Sequence, residues 1–226
     1  MQHFWVVGTD TDVGKTFITT VFMRHLQMQG HRVIPYKPVQ TGEVMDKGRY
    51  YYQDTTSYLE YSLHPLAQEA LNTYSFSTPA SPHFSAELEG ETIKEDRLLK
   101  AIEKLKLEYD TVICEGAGGL YVPLHSDTTL TLLDVIQQSA LPVILVANTK
   151  LGTINHTLLS VNALKARNIE ILGIVFNKFE QSALEKNNID TIRRFTAVPY
   201  VVIEANRTIE SFDDESVFER LLTDDI

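Results

Sequence analysis

Lys15 and Thr16 close the stretch GTDTDVGKTF, Gly8 to Phe17, which follows a short apolar run. Gly14-Lys15-Thr16 ends like a phosphate-binding loop of the form G-x-x-x-x-G-K-[ST], but the loop is one residue longer than that spelling. Such a loop leaves a strand, turns through glycine and opens a helix whose free N–H groups and positive dipole end face an anion. Lys15 can then reach the β- and γ-phosphates of a nucleoside triphosphate, and the Thr16 hydroxyl can ligate Mg2+. Asp12, Val13 and Phe17 are expected to complete the nucleotide-binding part of the loop.

Three further ionisable residues follow apolar runs. Lys37 lies in YKPVQTG, where a cation could neutralise a transferring phosphoryl group or steer an anionic substrate, or simply be a solvated lysine. Asp54 begins an expected helix and reads equally well as its N-cap. Glu115 ends the strand TVIC and is followed by glycines, a position suited to an oxygen ligand for Mg2+ beside a phosphate loop. Gly116, Ala117 and Gly118 then let the backbone approach a ligand closely. Cys114 lies inside that strand and reads as a small buried side chain rather than a nucleophile.

The elements needed to hold these residues are legible as alternating patterns. HFWVV, RVIPY, DTVICEG, LPVILVA, ILGIVF and YVVI read as strands, LPVILVA as one covered on both faces. Helical spacing follows the first loop at Phe17, Ile18, Val21, Phe22 and Leu26. Further helices are expected around Asp54–Tyr61, Lys94–Leu107, Leu130–Ser139, Ile154–Arg167 and Ser182–Phe195, with a last short one in the acidic tail. Residues 41–92 are less regular. Strand–helix alternation predicts an α/β fold, residues 1–226 in a single domain, with a mostly parallel sheet and helices on both faces. Ligands of such sheets bind beyond the carboxyl ends of the strands, where the residues above are found.

A net charge of −10 and a pI near 5.1 argue against nucleic acid or an anionic membrane surface as partner. The lone cysteine excludes an internal disulfide, and no run approaches the ~20 apolar residues of a membrane-spanning helix. With no signal peptide evident, a cytoplasmic protein is expected.

The combination of motifs resembles the dethiobiotin synthetase family. Its loop is spelled G-T-D-T-x-V-G-K-T, extra residue included. YKPVQTG from Tyr36, Asp54, SPH from Ser81, EGAGGLYVPL from Glu115, LPVILVA from Leu141 and KLGTINH from Lys150 follow in the family's order. The partition-type ATPases, a rival class of regulatory P-loop proteins, carry an early signature lysine that is absent from Thr9–Asp12.

The resemblance implies ATP as co-substrate, with Mg2+ held by Thr16, Asp54 and Glu115, and Lys37 as catalytic lysine beside Lys15. It implies contacts to the substrate, 7,8-diaminopelargonate, from Thr11, Lys37, Thr41 and Gly118. In a homodimer, Gly152, Thr153 and Asn155 would hold the substrate's carboxylate across the interface, although Asn155 alone reads equally as a helix N-terminal residue. CO2 is the other substrate, entering as a carbamate that ATP activates as a carbamic–phosphoric anhydride before ring closure. Asn177 and Lys178 are implied on the nucleotide side, with Pro199, Tyr200 and Val201 in the base pocket. Asn177 to Glu180, NKFE, also resembles the N-K-x-D guanine motif, so GTP use is a further expectation to test.

Overall fold

The computed structural model describes residues 3–213 and 219–222. In chain order, β1 (Phe4–Gly8) leads into α1 (Lys15–Met28) and β2 (Val33–Thr41). A small antiparallel hairpin, β3 (Val44–Asp46) and β4 (Arg49–Tyr51), precedes α2 (Gln53–Tyr61), β5 (Asn72–Phe76), α3 (Pro82–Leu88) and α4 (Glu95–Glu108). Then come β6 (Thr111–Glu115), α5 (Leu132–Ser139), β7 (Val143–Ala147), α6 (Thr153–Ala166), β8 (Ile171–Phe179), α7 (Ala183–Thr196), β9 (Tyr200–Glu204) and α8 (Glu219–Leu222). The expected strands and long helices are all present. The expected tail helix coincides in part with α8, and the rest of the tail lies outside the described residues.

Seven strands form one sheet in the order β5-β2-β6-β1-β7-β8-β9, every pair parallel. Their continuous apolar spelling has a simple cause: β1, β6 and β7 are buried at every residue because helices cover both faces. Alternation sorts β1 between two cores. Phe4 and Val6 join Ile18, Phe22 and Val175 on the α1 side, with Phe4 and Phe22 edge to face at 5.4 Å. Trp5 and Val7 join Ile102, Leu133 and Leu164 on the other side, and the Trp5 indole N–H donates to Ser139 Oγ at 2.9 Å. No described helix is long and apolar enough to cross a membrane.

Register is what assembles the site. Tyr36 pairs with Cys114 and Val6 with Glu115, so Lys37, Glu115 and the end of β1 lie at one level of the sheet. β2 then runs four residues past Lys37, carrying Val39, Gln40 and Thr41 upward as a wall. The irregular stretch 41–92 is an insertion around that wall: β5 extends the sheet beside β2, and α2 leans over its end. Cys114 is fully buried inside β6, and burial pushes its thiol well above the usual range, which leaves it an unreactive core residue.

Candidate active site

The loop after β1 ends at Gly14, which takes a left-handed conformation (φ 98°) and starts α1 without a side-chain cap. A side chain is excluded there, because a Cβ would stand 2.1 Å from Asn177 Nδ2. The first amides of α1 therefore point to an open cleft of about 870 Å3. Thr11, Asp12, Gly14, Lys15, Thr16, Phe17, Lys37, Thr41, Asp54, Glu115, Ala117, Gly118 and Lys178 line it, joined by Val39, Gln40, Gln53, Ser57, Tyr61 and Ile209.

Its floor is a buried ionic cluster. Lys37 Nζ lies 2.6 Å from Asp54 Oδ2 and 2.7 Å from Glu115 Oε1, and donates to the Gly116 carbonyl at 3.2 Å. Burial disfavours the Lys37 ammonium, but Glu115 and Asp54 outweigh it and hold its pKa above the ordinary lysine value. Asp54 is the converse case: burial would raise it, and Lys37 with the Thr16 hydroxyl holds it below the usual carboxylate value. Asp54 is not a helix cap, since Tyr52 holds that position and Asp54 faces inward from the first turn of α2.

Lys15 is also buried, its ammonium turned back onto the Asp10 carbonyl at 2.9 Å. Burial first, and then the nearby Lys37 charge, lower its pKa to about 8. Two cations thus face one cleft, one locked to carboxylates and one free of them, an arrangement suited to a polyanion.

The oxygen atoms in the same place fit a small hard cation. Thr16 Oγ1 lies 2.6 Å from Asp54 Oδ1 and 2.8 Å from Glu115 Oε1, yet a hydroxyl has one proton and can donate to only one of them. Three convergent hard oxygens suit Mg2+, which takes few protein ligands beside phosphate and water. Among the described residues no trio of His, Cys, Asp or Glu offers another metal site.

On the far side of the loop, Asn177 Nδ2 donates to the Val13 carbonyl at 3.0 Å and Lys178 Nζ to the Asp12 carbonyl at 2.7 Å. Both side chains brace the loop's backbone. Glu180 does not line the cleft: its carboxylate lies 3.7 Å from Lys150, so the guanine-type spelling is not matched by a carboxylate turned inward.

Pro199, Tyr200 and Val201 require correction. Pro199 is exposed and directly precedes β9, which Tyr200 and Val201 begin at mid-sheet, Tyr200 level with Ile174. Tyr200 packs on Phe176 and under Arg193, and Val201 is buried in the α1-side core. The cleft end of this strand is Glu204, and the residue that reaches the cleft from beyond it is Ile209. Nor are Gly152, Thr153 and Asn155 on this chain's cleft. Gly152 opens α6 at φ 95°, Thr153 Oγ1 donates to the Asn148 carbonyl at 2.6 Å, and Asn155 is exposed.

The residues that sequence reasoning missed are mainly on α2. Asp54, Ser57, Tyr58 and Tyr61 recur at helical spacing, so the expected helix and its one recognised carboxylate already implied the rest of that face. Ile209 had no comparable signal, because it sits in a short 3-10 turn located by packing alone.

Comparison with known proteins agrees with this geometry. Residues 2–208 match the AAA domain family. Among curated relatives, an ATP-dependent dethiobiotin synthetase of Lysinibacillus sphaericus is 55% identical, the alignment covering 98% of this chain and 97% of the relative. Another from Halalkalibacterium halodurans is 39% identical over 88% and 82% of the two chains. Among solved structures, the septum site-determining protein MinD of Pyrococcus horikoshii, complexed with Mg-ADP, superposes with a TM-score of 0.60 at 17% identity over 97% of this chain and 93% of that one. That likeness concerns the fold. The extent and identity of the sequence matches decide the family: this chain is a member of the ATP-dependent dethiobiotin synthetases, ligases built on a P-loop NTPase-like fold.

Proposed function

We propose that the protein carboxylates 7,8-diaminopelargonate with CO2 and closes it to dethiobiotin, converting ATP to ADP and phosphate. The observation carrying this is the convergence of Lys15, Lys37, Thr16, Asp54 and Glu115 on one cleft beneath an uncapped helix N-terminus.

One amine of the substrate takes up CO2 to form a carbamate and release a proton. A carbamate oxygen attacks the γ-phosphorus, expelling ADP and giving a carbamic–phosphoric anhydride. The second amine attacks that carbonyl carbon and loses a proton to solvent, the ring closes, and phosphate leaves with the bridging oxygen. Each step builds negative charge at oxygen, and none requires a protein nucleophile. Catalysis is then positioning and charge stabilisation. Lys15 leaves the Asp10 carbonyl for the β- and γ-phosphates, while the amides of Gly14, Lys15 and Thr16 hold the phosphate chain. Lys37 stabilises the transferring phosphoryl oxygens from a site where burial strengthens its field. Mg2+, when bound by Thr16, Asp54 and Glu115, supplies charge neutralisation at the phosphates.

Thr11, Thr41 and Gly118 contact the substrate, a reading supported by their place in the cleft lining. Gly152, Thr153 and Asn155 take the substrate's carboxylate in the cleft of a second copy, which makes the active form a homodimer. Asn177, Lys178 and the segment around Ile209 flank the base, in place of Pro199, Tyr200 and Val201. A cytoplasmic location accords with this reading. The test is phosphate release from MgATP and bicarbonate, with and without the diamine, alongside mass detection of dethiobiotin. Diamine-dependent release with product supports the reading, and release indifferent to the diamine overturns it.

A further inference from the structure

Glu115 is completely buried, and its two oxygens have different partners. Oε1 accepts from Lys37 at 2.7 Å and lies 2.8 Å from the Thr16 hydroxyl oxygen, on the cleft side. Oε2 accepts from the phenol of Tyr58, itself completely buried. Tyr58 stands one helical turn beyond Asp54 on α2, so the two side chains share a face and a single helix delivers one carboxylate to the site and a hydrogen bond to the other. The Thr55 hydroxyl, also on α2, donates to Gln40 Oε1 at 3.1 Å, which ties the helix to the β2 wall.

The terminal torsion of a glutamate is soft, so a buried carboxylate is oriented by its hydrogen bonds more than by its rotamer. We propose that Tyr58 is a positioning residue for the reaction: its hydroxyl holds Glu115 Oε2 so that Oε1 stays directed at Thr16 and at the divalent cation of the nucleotide complex. The inference rests on the synthetase reading and on Mg2+ at these oxygens. Outer partners that orient metal-holding side chains change metal affinity by about 10–100-fold when removed.

Tyr58→Phe removes one oxygen and keeps the ring. The test is a Mg2+ titration of the ADP-bound protein by calorimetry, with thermal melting in the presence and absence of Mg2+. Tyr36→Phe is the control, because it deletes another buried hydroxyl, paired with Thr73 and not with Glu115. The expected result is a Mg2+ midpoint raised about tenfold or more in Tyr58→Phe, little change in Tyr36→Phe, and a Mg2+-induced rise in melting temperature that shrinks only in the former. A Tyr58→Phe midpoint within about twofold of wild type, or equal shifts in both variants, would overturn the role. A wild type whose ADP binding ignores Mg2+ would instead overturn the metal reading together with this inference, so the two failures are distinguishable.

Discussion

Helices α1 and α7 each follow a parallel strand, and their first turns are finished in opposite ways. α7 is sealed by its own side chains: Ser182 and Glu185 form a reciprocal capping box, and Glu185 also accepts from the Thr149 hydroxyl and the Glu180 N–H. Burial would raise the Glu185 pKa, and those bonds outweigh it and lower it to about 2. α1 opens with a left-handed glycine and no side-chain cap. The same dipole is therefore satisfied internally in one helix and left for an external anion in the other. α7 uses its first turn for stability, pinning the β7–α6 loop through Glu185 on Thr149, and Asn188 in the next turn adds a bond to the Thr149 carbonyl at 2.9 Å. α1 uses its first turn for chemistry.

Substitutions on the α1 side should abolish turnover, and those on the α7 side should cost stability first. Lys15→Ala should carry the largest effect, a fall in turnover of about a thousandfold or more with melting little changed. Near-normal activity of the purified variant would contradict its role. Lys37→Ala should lower turnover by about 100–1,000-fold. It also leaves Asp54 and Glu115 without their shared cation, a loss of about 3–5 kcal/mol readable in urea unfolding. Gly14→Ala meets Asn177 with a Cβ at a left-handed position, so nucleotide affinity measured by calorimetry should fall about tenfold or more.

On the other side, Glu185→Gln should destabilise by about 1–2 kcal/mol while kcat changes less than about twofold. Its pH dependence has a definite sign. The folded carboxylate titrates at about 2 and the unfolded one near 4.5, so its contribution is complete above 4.5 and is lost as pH falls toward 2. Acid melting curves of wild type and Glu185→Gln should therefore converge over that window. The smallest expected signal is a fraction of a proton. With Lys15 near 8 in the free protein, a bound polyphosphate should raise it, so ADP binding at about pH 9 should take up protons. Calorimetry in buffers of different ionisation enthalpy measures this, and Lys15→Arg should remove it because arginine stays charged.

The same contrast explains what could be read from the sequence. Local chemistry was legible: the loop ending at Gly14-Lys15-Thr16, the carboxylate after an apolar strand at Glu115, and the strand–helix alternation each have a short-range cause. Lys37 and Asp54 were ambiguous until parallel register brought β2 beside β6 and α2 over both. Helical spacing places Tyr58 on the inward face of α2 with Asp54, but not its bond to Glu115, which lies 57 residues away. Pro199, Tyr200 and Val201 were misread because local spelling does not reveal how high on the sheet β9 begins, and only the pairing of Tyr200 with Ile174 does. The hairpin and β5 in residues 41–92 were hidden by weak alternation in short, half-exposed strands.

The central claim is that this cleft joins a carbamate oxygen to the γ-phosphorus. The most direct measurement is a pulse of C18O2 with MgATP and the diamine in ordinary water, quenched before the label exchanges, with mass analysis of the released phosphate. The account predicts one 18O per phosphate, formed only with the diamine and in step with dethiobiotin. Unlabelled phosphate accompanying product formation would contradict it.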